Sequence, residues 1–300
     1  MQDKPVDQAY LRAHPEHLPT FLTHQRIRET PVSGGSVAAA RRLTLDDGTS
    51  LFAKNWPSGE PPAGFFEAEA NGLRWLRAAG AVPVPEVIAA LPTLLATEWI
   101  DAGPPTPAAA ERLGRDLAAL HQSGADSFGA PWPGFIGPLS LDNTPHSGPW
   151  SLWFAERRLR PYLKLSTDNG ALTSADTALV DRLIDSLATT RDFDEPPSRT
   201  HGDLWPGNIL WSAAGPAWLI DPAAQGAHRE TDLAGLQLFG GVPHQDRLLA
   251  AYHEAHPLQA DWPARIPLHQ LHLLLVHTAA FGASYRDSVR STAKAALKAF

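Results

Sequence analysis

Apolar and polar positions alternate early in the chain. In VAAARRLTL, positions Val37, Ala39, Arg41, Leu43 and Leu45 fall on one side of an extended backbone, the turn DDG follows, and SLFAKNW resumes. Residues from about 26 to 55 therefore read as strands, with a hairpin ending near Lys54. The pattern turns helical in GFFEAEANGLRWLRAAG, and Gly80 followed by VPVP supplies a stop. TLLATEWI reads as a further strand and DAGPPTP as a linker. Beyond it AAAERLGRDLAALHQ, WSLWFAERRLRPYL, SADTALVDRLIDSLATT and PLHQLHLLLVHTAAFGASY have helical character, interrupted by THGDLWPGNILW and the strand-like AWLIDPA. No internal repeat occurs, and the 28 prolines gather in connecting segments. The expected class is α+β in two lobes: an antiparallel-sheet lobe with one helix over residues 1–100, a hinge at about 98–104, and a larger, mostly helical lobe over 101–300.

Composition narrows what such a chain can do. At 300 residues, 43% hydrophobic and 19% charged, it can bury a large core. A formal net charge of −7 without any basic run gives no electrostatic footprint for nucleic acid. Zero cysteines exclude disulfides, thiol nucleophiles and cysteine-ligated zinc. The start MQDKPVDQAY lacks the features of a signal peptide, so a cytoplasmic location is expected. LHLLLVHTAAFG is broken by histidine and too short for a membrane span.

The chemistry concentrates in residues 200 to 211. His201 and Asp203 are two apart, Asn208 lies five beyond Asp203, and Asp221 ends the apolar run WLID. Phosphoryl transfer calls for such a set: one carboxylate to orient a hydroxyl and take its proton, a second carboxylate and an amide oxygen to hold magnesium against nucleotide phosphates. A hairpin carrying Asp203 and Asn208 on its loop, and Asp221 on the strand return, would bring the three together. Taken singly, HGD is equally a turn. A metal-hydrolase reading of His201 fails because no second ligand stands at helical spacing from it. His269 and His272 share a helix face, but among leucines they read as core histidines.

A nucleotide site of this kind also needs a lysine on an early strand and a carboxylate on the following helix. Lys54 is the lysine. At 100° per residue Glu69 falls among Phe66, Ala70, Leu73 and Leu76, whereas Glu67 falls beside Asn71 and Arg74. Glu69 is thus the inward carboxylate, and an inward carboxylate requires a cation. Gly34 and Gly35 precede Lys54 in a turn that could let backbone amides approach phosphates, although the full GxGxxG pattern is missing.

These segments together resemble the fructosamine kinase (ketosamine 3-kinase) family, a branch of the aminoglycoside-phosphotransferase-like and protein-kinase-like folds. The likeness rests on SGGS before FAKNW, FFEAEANGLRWL, VPVPEVI, LGRDLAALHQ, the FG and FIG segments at 128 to 137, WFAERRLRPYL, HGDLWPGNILW and IDPAAQGAHRETDLA. Trp205 separates HGDLW from the HGDLHPGN of many antibiotic kinases. The resemblance implies Asp203 as catalytic base, Asn208 and Asp221 as magnesium ligands, and Lys54 with Glu69 on the phosphates. Backbone groups around Glu98 and Ile100 would meet adenine, while Gly34, Gly35 and Ser36 would cover the nucleotide. Asp232 would brace the catalytic loop. Ala38 and Ser36 depart from the asparagine and cysteine usual in the glycine turn.

The implied activity is ATP- and magnesium-dependent phosphorylation at O3 of a ketoamine, free or on a protein lysine, by a monomeric enzyme of protein deglycation. Trp205 and His201 are candidates for substrate contact, and Trp150 or Trp153 could stack on the sugar or amine portion. Two other readings stay open: a phosphotransferase of the same fold acting on an aminoglycoside or free sugar, and a nucleotide-binding regulator without turnover.

Overall fold

The computed structural model describes residues 6–32, 38–190 and 195–299. Two short helices, α1 (Gln8–Ala13) and α2 (Leu18–Thr23), open the chain on either side of a 3₁₀ turn at Pro15–His17. Six residues are fewer than two helical turns, too few to show a period, so the sequence pattern gave no sign of either helix. Asp7 caps α1 by accepting from the Tyr10 amide at 2.7 Å. Val6, Leu11, Leu18 and Ile27 from this segment share a core with Leu43, Leu51, Ile88 and Ala96. The first lobe therefore carries helices besides the single one expected, and they cover one face of its sheet.

That sheet contains β1 (Arg28–Pro31), β2 (Ala39–Thr44), β3 (Ser50–Asn55), β4 (Val87–Leu91) and β5 (Leu94–Glu98). Its order is β1-β2-β3-β5-β4, and every neighbouring pair is antiparallel. Strand β4 was not foreseen. Its sequence VIAAL lacks alternation because both faces are covered, one by the N-terminal helices and the other by the helix after β3. Lys54 lies near the end of β3, opposite Ala40 of β2 and Leu95 of β5.

The next element, α3 (Phe65–Ala78), buries Phe65, Phe66, Ala70, Leu73 and Leu76. These residues join a core that also holds Leu113, Leu117, Leu204 and Leu219 from the helical part of the chain. Burying each such leucine or phenylalanine is worth about 1.5–3 kcal/mol, so α3 is anchored by both halves of the molecule at once. The segment after β5 is tied down as well: Gly103 N–H donates to Trp211 O at 2.8 Å, and Ala213 N–H to Asp101 O at 2.9 Å.

The remaining chain builds the larger part. It runs through α4 (Pro107–Gln122), the hairpin β6 (Gly134–Ile136) and β7 (Leu139–Leu141), then α5 (Trp150–Phe154). A π-helical turn at Ala155–Leu159 leads into α6 (Arg160–Asp168), followed by α7 (Ser174–Thr189) and β8 (Ser198–Thr200). The hairpin β9 (Ile209–Trp211) and β10 (Ala217–Leu219) precedes β11 (Gln225–Ala227). Helices α8 (Glu230–Gly235), α9 (Gln245–Ala255), α10 (Trp262–Phe281) and α11 (Arg286–Ala296) complete it. The four helical segments expected beyond the linker are helical. Helix α10 is buried around most of its circumference, in keeping with its apolar composition. Among the described residues no helix is long and apolar enough to cross a membrane.

Trp150 and Trp153 are 0% and 2% exposed, in the core formed by α5, α6, α7 and α10. They have no access to a ligand, which overturns the idea that either stacks on substrate. His269 and His272 are core residues as read: His269 Nδ1 meets Thr231 Oγ1 at 3.0 Å and His272 Nδ1 meets Arg158 O at 3.0 Å.

Helix α7 starts with a capping box between Thr173 and Asp176, and Asp176 also accepts from Arg290 Nε of α11 at 2.8 Å. The hydrogen bond from Arg290, with those from Thr173, outweighs burial and holds the Asp176 carboxyl down at about 2. A carboxyl depressed in the folded state adds stability that is complete above its unfolded pKa and lost as pH falls through the folded one. Asp176→Asn is expected to lower stability by about 2 kcal/mol at pH 7, and the gap from the parent protein to close between about pH 4 and pH 2. Urea unfolding across that range checks it.

Candidate active site

Lys54 reaches across the junction between the sheet and the helical region. Its Nζ lies 2.6 Å from Glu69 Oε1 on α3 and 3.0 Å from Asp221 Oδ1 after β10. The inward carboxylate of α3 is Glu69, as the helical period indicated; Glu67 is exposed and meets Arg74 at 3.4 Å. Burial alone would push the Lys54 ammonium down. The Asp221 and Glu69 carboxylates outweigh that effect and hold it well above the ordinary lysine range.

Asp203 stands on the loop after β8. Gly202, at φ +81°, makes the turn possible, since a side chain there would run into the Ala223 carbonyl oxygen. Asp232 of α8, 1% exposed, accepts from the backbone amides of His201 (2.7 Å) and Gly202 (3.0 Å), and its carboxylate lies 3.2 Å from His121 Nε2. Asp232 thus braces the loop through backbone hydrogen bonds, as the resemblance implied. Asn208 closes the loop: its Nδ2 donates to Asp203 O at 2.8 Å, to Asp203 Oδ2 at 3.1 Å and to Asp221 O at 3.4 Å. The β9–β10 hairpin returns the chain so that Ile220 N–H donates to Asn208 O at 3.1 Å. Asp221 follows at φ +54°, a left-handed conformation that aspartate tolerates better than most residues.

One bend and one returning strand therefore bring Asp203, Asn208 and Asp221 to the same point, opposite Lys54. Burial lifts the Asp203 carboxyl; Asn208 opposes that, and the negative charges of Asp221 and Asp232 add to it, giving about 8. Such a carboxyl is a stronger base than a solvated aspartate. The oxygens left for a cation are hard ones: the Asn208 side-chain carbonyl, whose amide nitrogen faces Asp203, and the Asp221 carboxylate oxygen not bound to Lys54. That donor set suits magnesium.

His201 does not reach the cleft. It is 0% exposed, with Nε2 2.9 Å from Ile220 O and Nδ1 accepting from the Asp203 amide at 3.3 Å. The expectation of substrate contact is corrected accordingly: the side chain shapes the loop from inside. Gly34, Gly35 and Ser36 lie outside the described residues.

The cleft is a cavity of about 820 Å³. One part is formed by the sheet and hinge, including Phe52, Lys54, Glu98, Trp99 and Ile100, with Leu210 of β9 beside them in the lining. Glu98 N–H is taken up by Glu86 O at 2.9 Å, whereas the backbone groups of Ile100 have no partner among the described residues. Trp99 is held by the Arg42 guanidinium 4.7 Å over its ring and by a 2.9 Å hydrogen bond from its Nε1 to Asp101. The other part is formed by Trp132, Ile136, Asn143, Trp205, His277 and Phe281. Trp132, Ile136 and Asn143 come from the segment between α4 and α5, and His277 and Phe281 from α10. Asn143, His277 and Phe281 were not singled out in the sequence, because no fixed spacing ties them to the loop at 200 to 211.

Solved structures of low identity share the fold. A ternary complex of the aminoglycoside phosphotransferase APH(4)-Ia with ADP and hygromycin B superposes with a TM-score of 0.63 at 14% identity, covering 94% of this chain and 98% of that one. The chain thus has the fold of the kinase-like phosphotransferases. The fructosamine kinase profile matches residues 14–299. The probable ketoamine kinase of Enterococcus faecium is 32% identical over 269 residues, 86% of this chain and 91% of its own length. A crystal structure from Thermobifida fusca, assigned as a fructosamine-3-kinase, is 50% identical with a TM-score of 0.86, covering 91% of this chain and 94% of that one. The protein belongs to the fructosamine kinase family, and is a phosphotransferase.

Asp232 is a buried carboxylate with two backbone donors and a histidine directed at it. Asp232→Asn is expected to cost about 3 kcal/mol in denaturant unfolding, because an amide cannot accept from all three. Amide hydrogen exchange at His201 and Gly202 should quicken in the variant; unchanged protection there would refute the brace.

Proposed function

We propose that this protein is an ATP- and magnesium-dependent ketosamine kinase that phosphorylates O3 of sugar–amine adducts such as fructosamines or ribulosamines. The observation that carries the reading is the convergence of Lys54, Glu69, Asp203, Asn208 and Asp221 on one cleft. Lys54, fixed by Glu69, orients the α- and β-phosphates, and Ile100 offers backbone groups to adenine. Asn208 and Asp221 would hold magnesium, which neutralises charge on the phosphates when bound. Asp203 accepts the proton of the acceptor hydroxyl as its oxygen bonds to the γ-phosphorus and the bond to the ADP oxygen breaks. Alignment and charge neutralisation suffice, and no covalent enzyme intermediate is required.

The acceptor half of the cleft favours a ketosamine over an aminoglycoside. Among the described residues, the only carboxylates lining the cavity are Glu69, Glu98, Asp203 and Asp221, all of them in the nucleotide and catalytic machinery. A polycation would find no additional counter-charges there. An adduct with one amine can instead set its cation against Trp205 or Phe281 and its hydroxyls toward Asp203. The same chemistry serves a free adduct or one on a protein lysine. In keeping with the division of the cavity, residues 1–100 act as the nucleotide lobe and 101–300 as the catalytic and acceptor lobe.

ADP release measured over fructosamines, ribulosamines, aminoglycosides and free sugars tests this reading. Turnover is expected with the first two classes, and turnover confined to the last two would refute it. Asp203→Ala should lower the transfer rate by at least about 10²-fold while nucleotide binding survives. Asp221→Ala should weaken nucleotide binding most when magnesium is present, seen as a flattened magnesium titration.

A further inference from the structure

Arg158, in the π-helical turn between α5 and α6, is 1% exposed yet pairs with no carboxylate among the described residues. Its guanidinium lies 4.3 Å over the Trp153 ring. It donates to Asp142 O (2.7 Å), Arg157 O (2.9 Å), Asn143 Oδ1 (3.0 Å) and, in a short contact, Gln225 Oε1. All four acceptors are neutral. The nearest carboxylate, on Asp142, is taken by Arg157. Burial pushes the guanidinium down to about 9, so at neutral pH it remains a cation.

A guanidinium can only donate, so it fixes which way the Asn143 amide points. The carbonyl faces Arg158, and the NH₂ turns the opposite way. Asn143 lines the cleft and is 4% exposed, and its Nδ2 has no acceptor among the described residues. Gly134 of β6 leaves room for this group, because a Cβ there would stand 2.6 Å from Asn143 Nδ2. Asn143 Nδ2 keeps contact with the cavity, whereas Arg158 Nε is buried without a partner, and a buried cation without a counter-ion is costly. The pair is therefore a poor device for stability but a well-oriented donor at the cavity wall.

Asn143 lines the cavity together with Trp132, Gly134 and Ile136 of the segment around the β6–β7 hairpin, which packs on α3 through Phe135 and Phe65, ring centroids 5.2 Å apart. Gln225, the other side chain on Arg158, pairs with Thr200, and its Nε2 is 3.1 Å from where a side chain at Gly202 would begin, one residue before Asp203. Asn143 and Asp203 are thus held by one frame.

Resting on the ketosamine reading, we propose that Asn143 is an acceptor-binding residue whose amide N–H donates to a hydroxyl or carbonyl oxygen of the sugar, with Arg158 as its positioning residue. The positive charge behind the amide sharpens the donor and repels a cationic amine. The sugar end of the acceptor lies on this wall, and the amine end on the side of Trp205 and Phe281.

Two substitutions separate binding from structure. Asn143→Ala removes the donor. Asn143→Asp also removes it, yet gives Arg158 a carboxylate partner, so the fold keeps its stability. In both, KM for the ketosamine should rise about tenfold, the worth of one hydrogen bond, while KM for ATP stays within about twofold. Arg158→Gln in addition should leave the acceptor KM of Asn143→Ala no worse, since the positioning residue acts only through the amide. An Asn143→Asp enzyme with parental acceptor KM would overturn the assignment, as would an equal rise in KM for ATP. The parent enzyme's own turnover of ketosamines is the control: if present, such a result removes only Asn143; if absent, the ketosamine reading and this inference fail together.

Discussion

The ammonium of Lys54 between the carboxylates of Glu69 and Asp221 is the contact on which the other parts of this molecule turn. It ties the consecutive elements β3 and α3 to the end of the β9–β10 hairpin, which is remote from both in sequence. Neither Lys54 nor Glu69 could stay charged so near the interior without an opposite charge beside it. Keeping them together requires that the sheet and the helical region hold one relative position. The shared core of α3 with Leu113, Leu117, Leu204 and Leu219 fulfils that requirement by apolar burial, and the hinge hydrogen bonds to Trp211 and Asp101 add to it.

Around this contact the catalytic loop is set by backbone groups more than by side-chain packing. Asp232 gathers the amides of His201 and Gly202, Asn208 gathers the carbonyls of Asp203 and Asp221, and His201 fills the space inside the bend. Polar groups without access to water have to find partners, so each of these bonds limits where Asp203 can point. The role of base proposed for Asp203, which must meet one hydroxyl, gains from that restriction. The wall proposed for the acceptor is built differently, with aromatic rings and the Asn143 amide, whose oxygen accepts from the buried Arg158 guanidinium. Among the described residues the cavity holds no carboxylates besides Glu69, Glu98, Asp203 and Asp221, in keeping with the proposed adduct of few charges.

Much of the site could be read along the chain because its chemistry is periodic or local. Glu69 was separated from Glu67 by the 100° rotation of a helix, which needs no knowledge of what the helix packs against. Asp203, Asn208 and Asp221 stand at short separations spanned by one bend and one hairpin, so their meeting is a local matter. The long helices announced themselves through apolar periodicity. Helices α1 and α2 were too short to do so, and the covered strand β4 and the Gly- and Pro-rich hairpin β6–β7 give neither alternation nor a helical period.

Burial was the property that linear reading handled least well. Trp150, Trp153 and His201 carry the same side chains as residues that line clefts, and only the packing of α5 to α7, α10 and the loop at 200 to 211 reveals that ligands cannot reach them. Asn143 shows the converse, an ordinary loop asparagine whose meaning comes from Arg158, 15 residues later. The amino-acid order alone determined the β2–β3 hairpin, the longer helices and the loop chemistry, since these arise from forces between near neighbours. Which polar groups face the cavity and which are sealed in the core was decided only when distant segments packed, because solvent access belongs to the assembled surface and to no single stretch of chain.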